Sequence, residues 1–252
     1  MRRPNAAGTL PRTGAGARAR DAIDVAGYRS ALEDQMNEHR VGRTEPAGYG
    51  LRLLTFDRSL AGHALPGQFT TATLPDGRRA FFALANDPGA PVELLIKLQG
   101  EVADALVATP IGEVVSLSPA MGRGFGVPEA LAPLVLLIAG SGLSAVRAMI
   151  RAELAAGLPR PVHLRLGVLT LDHVPFAADV EAWAQAGVDV RLVLGTPPPG
   201  WTGASGFVQH VARDEGLIRA GHHLVVCGFG EMVDEVRAMA EAAGAGPVYT
   251  NY

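Results

Sequence analysis

Leu134-Val-Leu-Leu-Ile-Ala139-Gly140-Ser141-Gly142-Leu143-Ser144 is the stretch on which the reading of this 252-residue chain turns. Its six leading residues are apolar without alternation, as in a strand covered on both faces. Gly-Ser-Gly then makes a tight turn, and Ala145 to Ala156 carries Val146, Met149, Ile150 and Leu154 at helical spacing. Strand, glycine turn and helix in that order open an α/β unit. The rhythm continues: strand-like runs at Val162–Val168, Val188–Leu194, Leu224–Cys227 and Val248–Tyr249 alternate with helix-like segments such as Val174–Ala186 and Met232–Ala243. This alternation predicts a doubly wound parallel sheet over residues 129–252.

Upstream, the pattern changes. Leu51–Phe56, Gln68–Leu74, Arg79–Ala85, Val92–Leu98 and Val114–Ser118 read as short strands. Pro66-Gly67, the hairpin signal Asp76-Gly77 and Asn86-Asp-Pro-Gly89 punctuate them. Residues 41–128 are therefore expected to form a small N-terminal antiparallel β-barrel or sandwich. Residues 1–40 read as a mobile N-terminal extension. Within it, Ile23, Leu32 and Met36 sketch a thin helical stripe between Asp21 and about Arg40.

Composition narrows the chemistry. Hydrophobic residues make up 48% and charged residues 19%, enough apolar material for packed cores. A net charge of −3 argues against a nucleic-acid binder that relies on phosphate contacts. The one cysteine, Cys227, cannot supply a disulfide framework, a four-cysteine iron–sulfur site or a multi-cysteine zinc site. Redox chemistry here would need an organic cofactor or an outside partner. The apolar run Leu131–Ala139 is broken by Pro133 and is far short of the ~20 residues of a membrane span. A cytoplasmic location is expected. The Arg-rich, acid-poor first twenty residues leave organelle targeting as a minor alternative to a coding bias toward Arg, Ala and Gly.

Two glycine-rich turns fall at predicted strand ends, where open α/β sheets bind ligands. They are Gly140-Ser141-Gly142 and Cys227-Gly228-Phe229-Gly230, the latter followed by Met232. Glycine lets backbone approach a phosphate, and the next helix offers free N–H groups. Each alone fits a tight turn without ligand equally well; two at separate strand ends favour a nucleotide. Neither is a P-loop, because no Gly-Lys-Ser/Thr is present. In the barrel half, Arg79 with Phe81 and Phe82 could hold a pyrophosphate and stack a flat ring, or be ordinary surface and core. Lys97 is the only lysine. The seven histidines show no His-Glu-x-x-His pattern, and no Gly-x-Ser-x-Gly elbow occurs, so neither a metal site nor a hydrolase is expected.

The order of these pieces carries a resemblance. Pro66-Gly-Gln-Phe69, Arg79-Ala-Phe-Phe-Ala-Leu-Ala85, Leu94-Leu-Ile-Lys97 with Gly100, Gly140-Ser-Gly142 and Cys227-Gly228-x-x-x-Met232 follow one another along the chain. The series resembles the ferredoxin–NADP reductase-like flavoproteins over roughly residues 40–252. Ser118-Pro-Ala-Met-Gly-Arg-Gly-Phe125 and Gly200-Trp-Thr-Gly-Ala-Ser-Gly-Phe-Val-Gln209 are similar to a reductase-like group of plants and bacteria. The resemblance implies an FAD-binding barrel followed by a domain for NAD(P)H. By it, Arg79 would bind the FAD pyrophosphate, with Ala80 beside it and Phe81 flanking the flavin. Ile96, Lys97, Gly100, Val102 and Ala103 would cradle the cofactor. Gly140, Ser141 and Gly142 would meet the nicotinamide nucleotide's phosphates. Cys227, with Gly228, Phe229 and Met232, would lie at the nicotinamide, and Tyr252 would cap the flavin; Cys227 and Tyr252 are thus the expected catalytic positions.

Departures accompany the likeness. Phe82 stands where the family's serine would bond flavin N5, and Ala103 where a hydroxyl often meets the pyrophosphate. After the second strand of the α/β half, Leu166-Gly-Val-Leu-Thr170 lacks the arginine that many NADPH users place there, which points to NADH unless Arg191 or His173 substitutes. The implied function is a hydride-accepting FAD reductase that hands electrons to a separate acceptor, whether protein, quinone or small molecule. The lost hydroxyls motivate an alternative: a flavin- or nucleotide-binding module, acting as sensor or electron-transfer subunit, with reduced turnover.

Overall fold

The computed structural model describes residues 37–128 and 131–251. The first part is a six-stranded antiparallel sheet. Its strands are β1 (Asn37–Pro46), β2 (Leu51–Phe56), β3 (Phe69–Thr73), β4 (Arg79–Ala83), β5 (Glu93–Lys97) and β6 (Val114–Leu117), in the spatial order β4-β3-β6-β1-β2-β5. A bridge between Leu84 and Leu94, with the Ala85 amide donating to the Glu93 carbonyl at 2.9 Å, joins the two edge strands and closes the barrel. Closure removes the unpaired edges an open sheet would expose. Helix α1 (Glu101–Ala108) plugs one end, turning Ala103 and Leu106 onto the interior cluster of Val41, Leu54, Leu94, Ile96 and Leu117.

The second part is a six-stranded parallel sheet, β10-β9-β8-β7-β11-β12. It comprises β7 (Leu134–Ala139), β8 (Val162–Val168), β9 (Asp189–Leu194), β10 (Ala204–Ser205), β11 (His223–Cys227) and β12 (Val248–Tyr249). The connecting helices are α2 (Leu143–Ala155), α3 (Ala177–Gln185), α4 (Val208–Asp214) and α5 (Gly230–Ala242). Along β7, Leu134, Leu136 and Ile138 face one core with α2 and α3, while Val135 and Leu137 face the other with α4 and α5. A strand wetted on neither face needs no polar alternation, which is why its run reads as it does. Strand order runs outward from β7 through β8 to β10, then crosses back to β11 and β12. The switch point therefore lies between β7 and β11, the two strands that end in glycine turns.

The α2 face cluster also takes in Leu51, Leu53, Ala85, Leu95 and Phe125 of the barrel. The two halves thus share one apolar seam.

The structure changes two expectations. Residues 37–40, read within a possible helix and an extension ending at 40, are strand: β1 starts at Asn37, pairs with β6 from Asn37 to Arg40, and continues against β2. Only His39 and Val41 of β1 are buried, so its apolar signal is too sparse to announce it; pairing on both sides holds it. The helix read from Val174 begins as α3 at Ala177. Pro175 disfavours helical geometry at Val174, and Phe176 takes a left-handed conformation, φ 50°, before the helix starts.

Candidate cofactor cleft

A cleft of about 530 Å³ opens between β4, the β5–α1 loop and the turn after β7. This lies in the range of small-molecule sites, ~300–1,000 Å³. Its wall carries Ala80, Phe81 and Phe82 from β4; Lys97, Gly100, Val102 and Ala103 from β5 and α1; and Ser141 and Gly142 from the turn. Gln99 and Glu101, within the expected 96–103 cradle, also line it, and Ala83, Leu95 and Ser144 complete it. Ser144 has a local signature in hindsight: its Oγ donates to the Ser141 carbonyl at 2.9 Å, as a hydroxyl three residues into a turn-to-helix junction can.

Alternation along β4 decides what each side chain does. Phe82 packs on the barrel core while lining the cleft. Phe81 points the other way and is 66% exposed, meeting only the edge of Phe69 at 5.8 Å between centroids. A large aromatic face left to water beside a cleft is unusual and suits a flat ring. Arg79, on the same face as Phe81, is half-buried and has no hydrogen-bond or ionic partner for its guanidinium among the described residues. It stands at the start of β4, outside the side chains that line the cleft. Ile96 is fully buried in the barrel core, so only its backbone can face a ligand.

The turns differ in what their glycines do. A Cβ on Gly100 (φ 99°) or Gly140 (φ 49°) would meet nothing within 4 Å, so both present open backbone. At Gly142 a Cβ would lie 2.8 Å from the Cys227 carbonyl oxygen and 3.0 Å from its Sγ. Gly142 is therefore required by the close approach of the β7 turn to the end of β11. At Gly228 a Cβ would likewise lie 2.6 Å from Met232 Sδ and 3.2 Å from Ala139 Cβ. The two glycine turns lean on each other. Met232 is buried beneath them, whereas Phe229 is 74% exposed above. α1 has no side-chain cap, so its first N–H groups remain available to an anion, although Glu101 opposes one there; at α2 the Leu143 N–H already donates to the Gly140 and Ser141 carbonyls.

Burial pushes the Cys227 thiol up to about 11, so it is neutral at ordinary pH. Its Sγ lies 3.9 Å from Asn251 Oδ1. Asn251 in turn approaches Gly67 and Gly122 of the barrel, bringing the C-terminal segment across to the Phe69 side of the cleft wall. Tyr252 lies outside the described residues. No group of three or more His, Cys, Asp or Glu that could hold a metal occurs among the described residues, and none of their helices is long and apolar enough to cross a membrane.

Comparison with known proteins agrees with this geometry. Residues 136–238 match the oxidoreductase NAD-binding domain family. The fruit protein pKIWI502 of Actinidia deliciosa is 30% identical over 198 residues, covering 71% of this chain and 62% of that protein. The ferredoxin–NAD(+) reductase component of the alkene monooxygenase system of Xanthobacter autotrophicus is 33% identical over 148 residues, covering 56% of this chain and 45% of the relative. The chain thus spans less than two thirds of the length of these relatives. The ferredoxin reductase in carbazole 1,9a-dioxygenase shares the fold with a TM-score of 0.74 at 22% identity, over 86% of this chain and 68% of that structure. With a closed antiparallel barrel, a parallel sheet whose switch point carries two glycine turns, and a cleft between them, the chain carries an oxidoreductase NAD-binding domain and has the fold of the ferredoxin reductases.

Proposed function

We propose that the chain is an FAD-dependent reductase that oxidises NAD(P)H, preferably NADH, and passes the electrons to a separate acceptor. One observation carries this reading: the first glycine turn of the switch point lines a cleft whose opposite wall carries the solvent-exposed Phe81, and the second glycine turn packs against the first. Bound flavin would accept a hydride, two electrons with one proton, from the reduced nicotinamide and release the electrons to that acceptor. The chain's own residues bind and orient. Phe81 offers a stacking face, Arg79 a cation for the pyrophosphate, and Gly100 and Ser141 open backbone and a hydroxyl for phosphates. The neutral Cys227 thiol and Asn251 shape the nicotinamide side without exchanging a proton.

NADH is favoured because the cations that could meet a 2′-phosphate are occupied or missing. The segment Leu169–Val174 after β8 contains Asp172 and no Lys or Arg. Arg191 is paired with Glu215, and His173 Nδ1 is held by Thr170 Oγ1 at 2.8 Å. A 2′-phosphate adds about two negative charges, and a cation normally receives it. The second reading, a flavin-binding module with little turnover, draws on the β4 wall, where no hydroxyl replaces the serine lost at Phe82.

An anaerobic titration tests both. The purified protein with FAD should be yellow and bleach with NADH, with kcat/KM at least ~10-fold above that for NADPH, a difference of about 1.4 kcal/mol. Yellow protein left oxidised by both nucleotides would favour the binding module. Protein unable to take up FAD would overturn both readings.

A further inference from the structure

Arg147 lies on α2, five residues beyond Gly142, and is only 6% exposed. Its Nε donates to Asp179 Oδ2 on α3 at 2.6 Å, and its Nη1 donates to the Glu93 carboxylate at the start of β5. Nη1 also lies 3.4 Å from the Ala85 carbonyl between β4 and β5, and the guanidinium sits 4.2 Å from the Phe176 ring centroid. One buried fork thus grips both halves of the molecule. Arg151, one turn further along α2, adds looser contacts of 3.5 Å to Asp179 and 3.7 Å to Asp87.

Glu93 and Arg147 sit on the two elements that carry the opposing sides of the cleft. Glu93 is four residues from Lys97, about 13 Å along a strand. Arg147 is about 7.5 Å down the helix from Gly142. The seam around them is apolar, formed by Leu51, Leu53 and Leu95 against Leu143 and Val146. Apolar contact is non-directional and tolerates one face sliding over another. A guanidinium holding two carboxylates has a fixed geometry and does not.

We propose that Arg147 is a positioning residue for hydride transfer. By holding Glu93 and Asp179 together, it sets the separation between the flavin wall on β4–β5 and the nicotinamide turn before α2. This role rests on the reductase function proposed above.

The test uses the full chain, with E93Q removing the barrel-side charge at constant shape and R147K keeping the charge without the fork. Stopped-flow reduction by NADH separates nucleotide affinity from the limiting rate, and hydrogen exchange is read on the FAD-free protein. In E93Q the limiting rate should fall at least ~10-fold, since small misplacements of reacting groups are costly. FAD retention and NADH affinity should stay within about two-fold. Amides of residues 93–97 and 143–147 should exchange at least ~5-fold faster. R147K should show the same pattern. A limiting rate and exchange in E93Q matching wild type, or full function in R147K, would overturn the proposal. If R147K does not fold, E93Q alone decides. Wild-type protein that holds FAD but is not reduced by NADH would instead sink the reductase reading, and the positioning role with it.

Discussion

Asn86 in the barrel and Arg165 in the parallel-sheet half are both almost wholly buried, at 1% and 3% exposure, yet they are satisfied in different ways. The Asn86 amide bonds the Asp87 and Ala90 carbonyls at 3.0 and 3.1 Å, reaches His63 Nδ1 at 3.3 Å, and accepts from the Glu93 amide at 3.0 Å. All its partners are neutral groups of the barrel. Arg165 on β8 holds Asp189 on β9 at 2.8 Å and Glu215 just past α4; Glu215 also takes Arg191, and Asp189 takes His163 at 2.7 Å. The pattern is general: the barrel's buried polar residues are uncharged side chains and histidines, while the sheet half buries two arginines, each between two carboxylates. In the barrel, amides and hydroxyls suffice both for turns and for ties such as Thr70 to Ser118. Helices and strands stacked in layers need ties between distant elements, and buried arginines supply them where a lone charge would be prohibitive.

Substitutions can break this contrast. The largest effect is expected for Arg165→Met, which leaves Glu215 and Asp189 without their central cation. Loss of one partner of a buried pair costs several kcal/mol; because Asp189 is half exposed, about 3 kcal/mol is expected from the urea midpoint. A loss under about 1 kcal/mol would place Arg165 with ordinary surface pairs. Asn86→Ala comes next, at about 2 kcal/mol, because it orphans the Glu93 amide and removes the bonds donated to the Asp87 and Ala90 carbonyls. Its cost should be the same at low and high salt. A salt-dependent cost would show that the barrel's polar core is electrostatically coupled after all.

Gly142→Ala is expected to cost about 1–2 kcal/mol, since the added methyl meets Cys227 backbone and the turn must shift. It should weaken NADH binding more than FAD retention, measured by titration of each. The smallest effect is a pH dependence with different limits in the two halves. Burial lowers His39 and His63 in the barrel, and His222 and His223 in the sheet half. A histidine lowered on folding contributes stability that is present above its unfolded value of about 6.5 and lost as pH falls through that value toward the folded one. Both halves should therefore soften between about pH 7 and 5, and His63→Gln should flatten the barrel's share in unfolding measured across that window. Burial pushes the Asp189 carboxyl up, but bonds from Arg165 and His163 outweigh it and hold it low. That stability is lost only as pH falls below the usual carboxylate value of about 4. Equal acid loss in Arg165→Met and wild type would remove Asp189 as its source.

Much of this architecture was legible in the residues. The unalternated β7 run, both glycine turns and Arg79-Ala-Phe-Phe lie where the sequence predicts, because burial on two faces and tight turns leave compositional marks. The cleft gathers Ala80, Phe81, Phe82, Lys97, Gly100, Val102, Ala103, Ser141 and Gly142 from the expected set; Arg79, Gly140, Cys227, Gly228 and Phe229 do not line it, and Ile96 and Met232 turn into cores. Lys97, next to Ile96, does reach the site, and apolar residues at strand ends do not reveal which face they take. β1 left almost no mark, because two inward side chains among charges identify no strand until its partners are known.

Local chemistry along the chain determined the succession of a barrel and an α/β sheet, the glycine positions and the absence of cysteine-based metal centres, since these depend on periodicity, backbone freedom and residue type. Only the tertiary structure decided that Gly142 yields to Cys227, that β1 joins the barrel, and that Arg147 and Glu93, 54 residues apart, meet beneath the cleft. Close approaches and buried ion pairs join residues remote in sequence, and such contacts have no period to read.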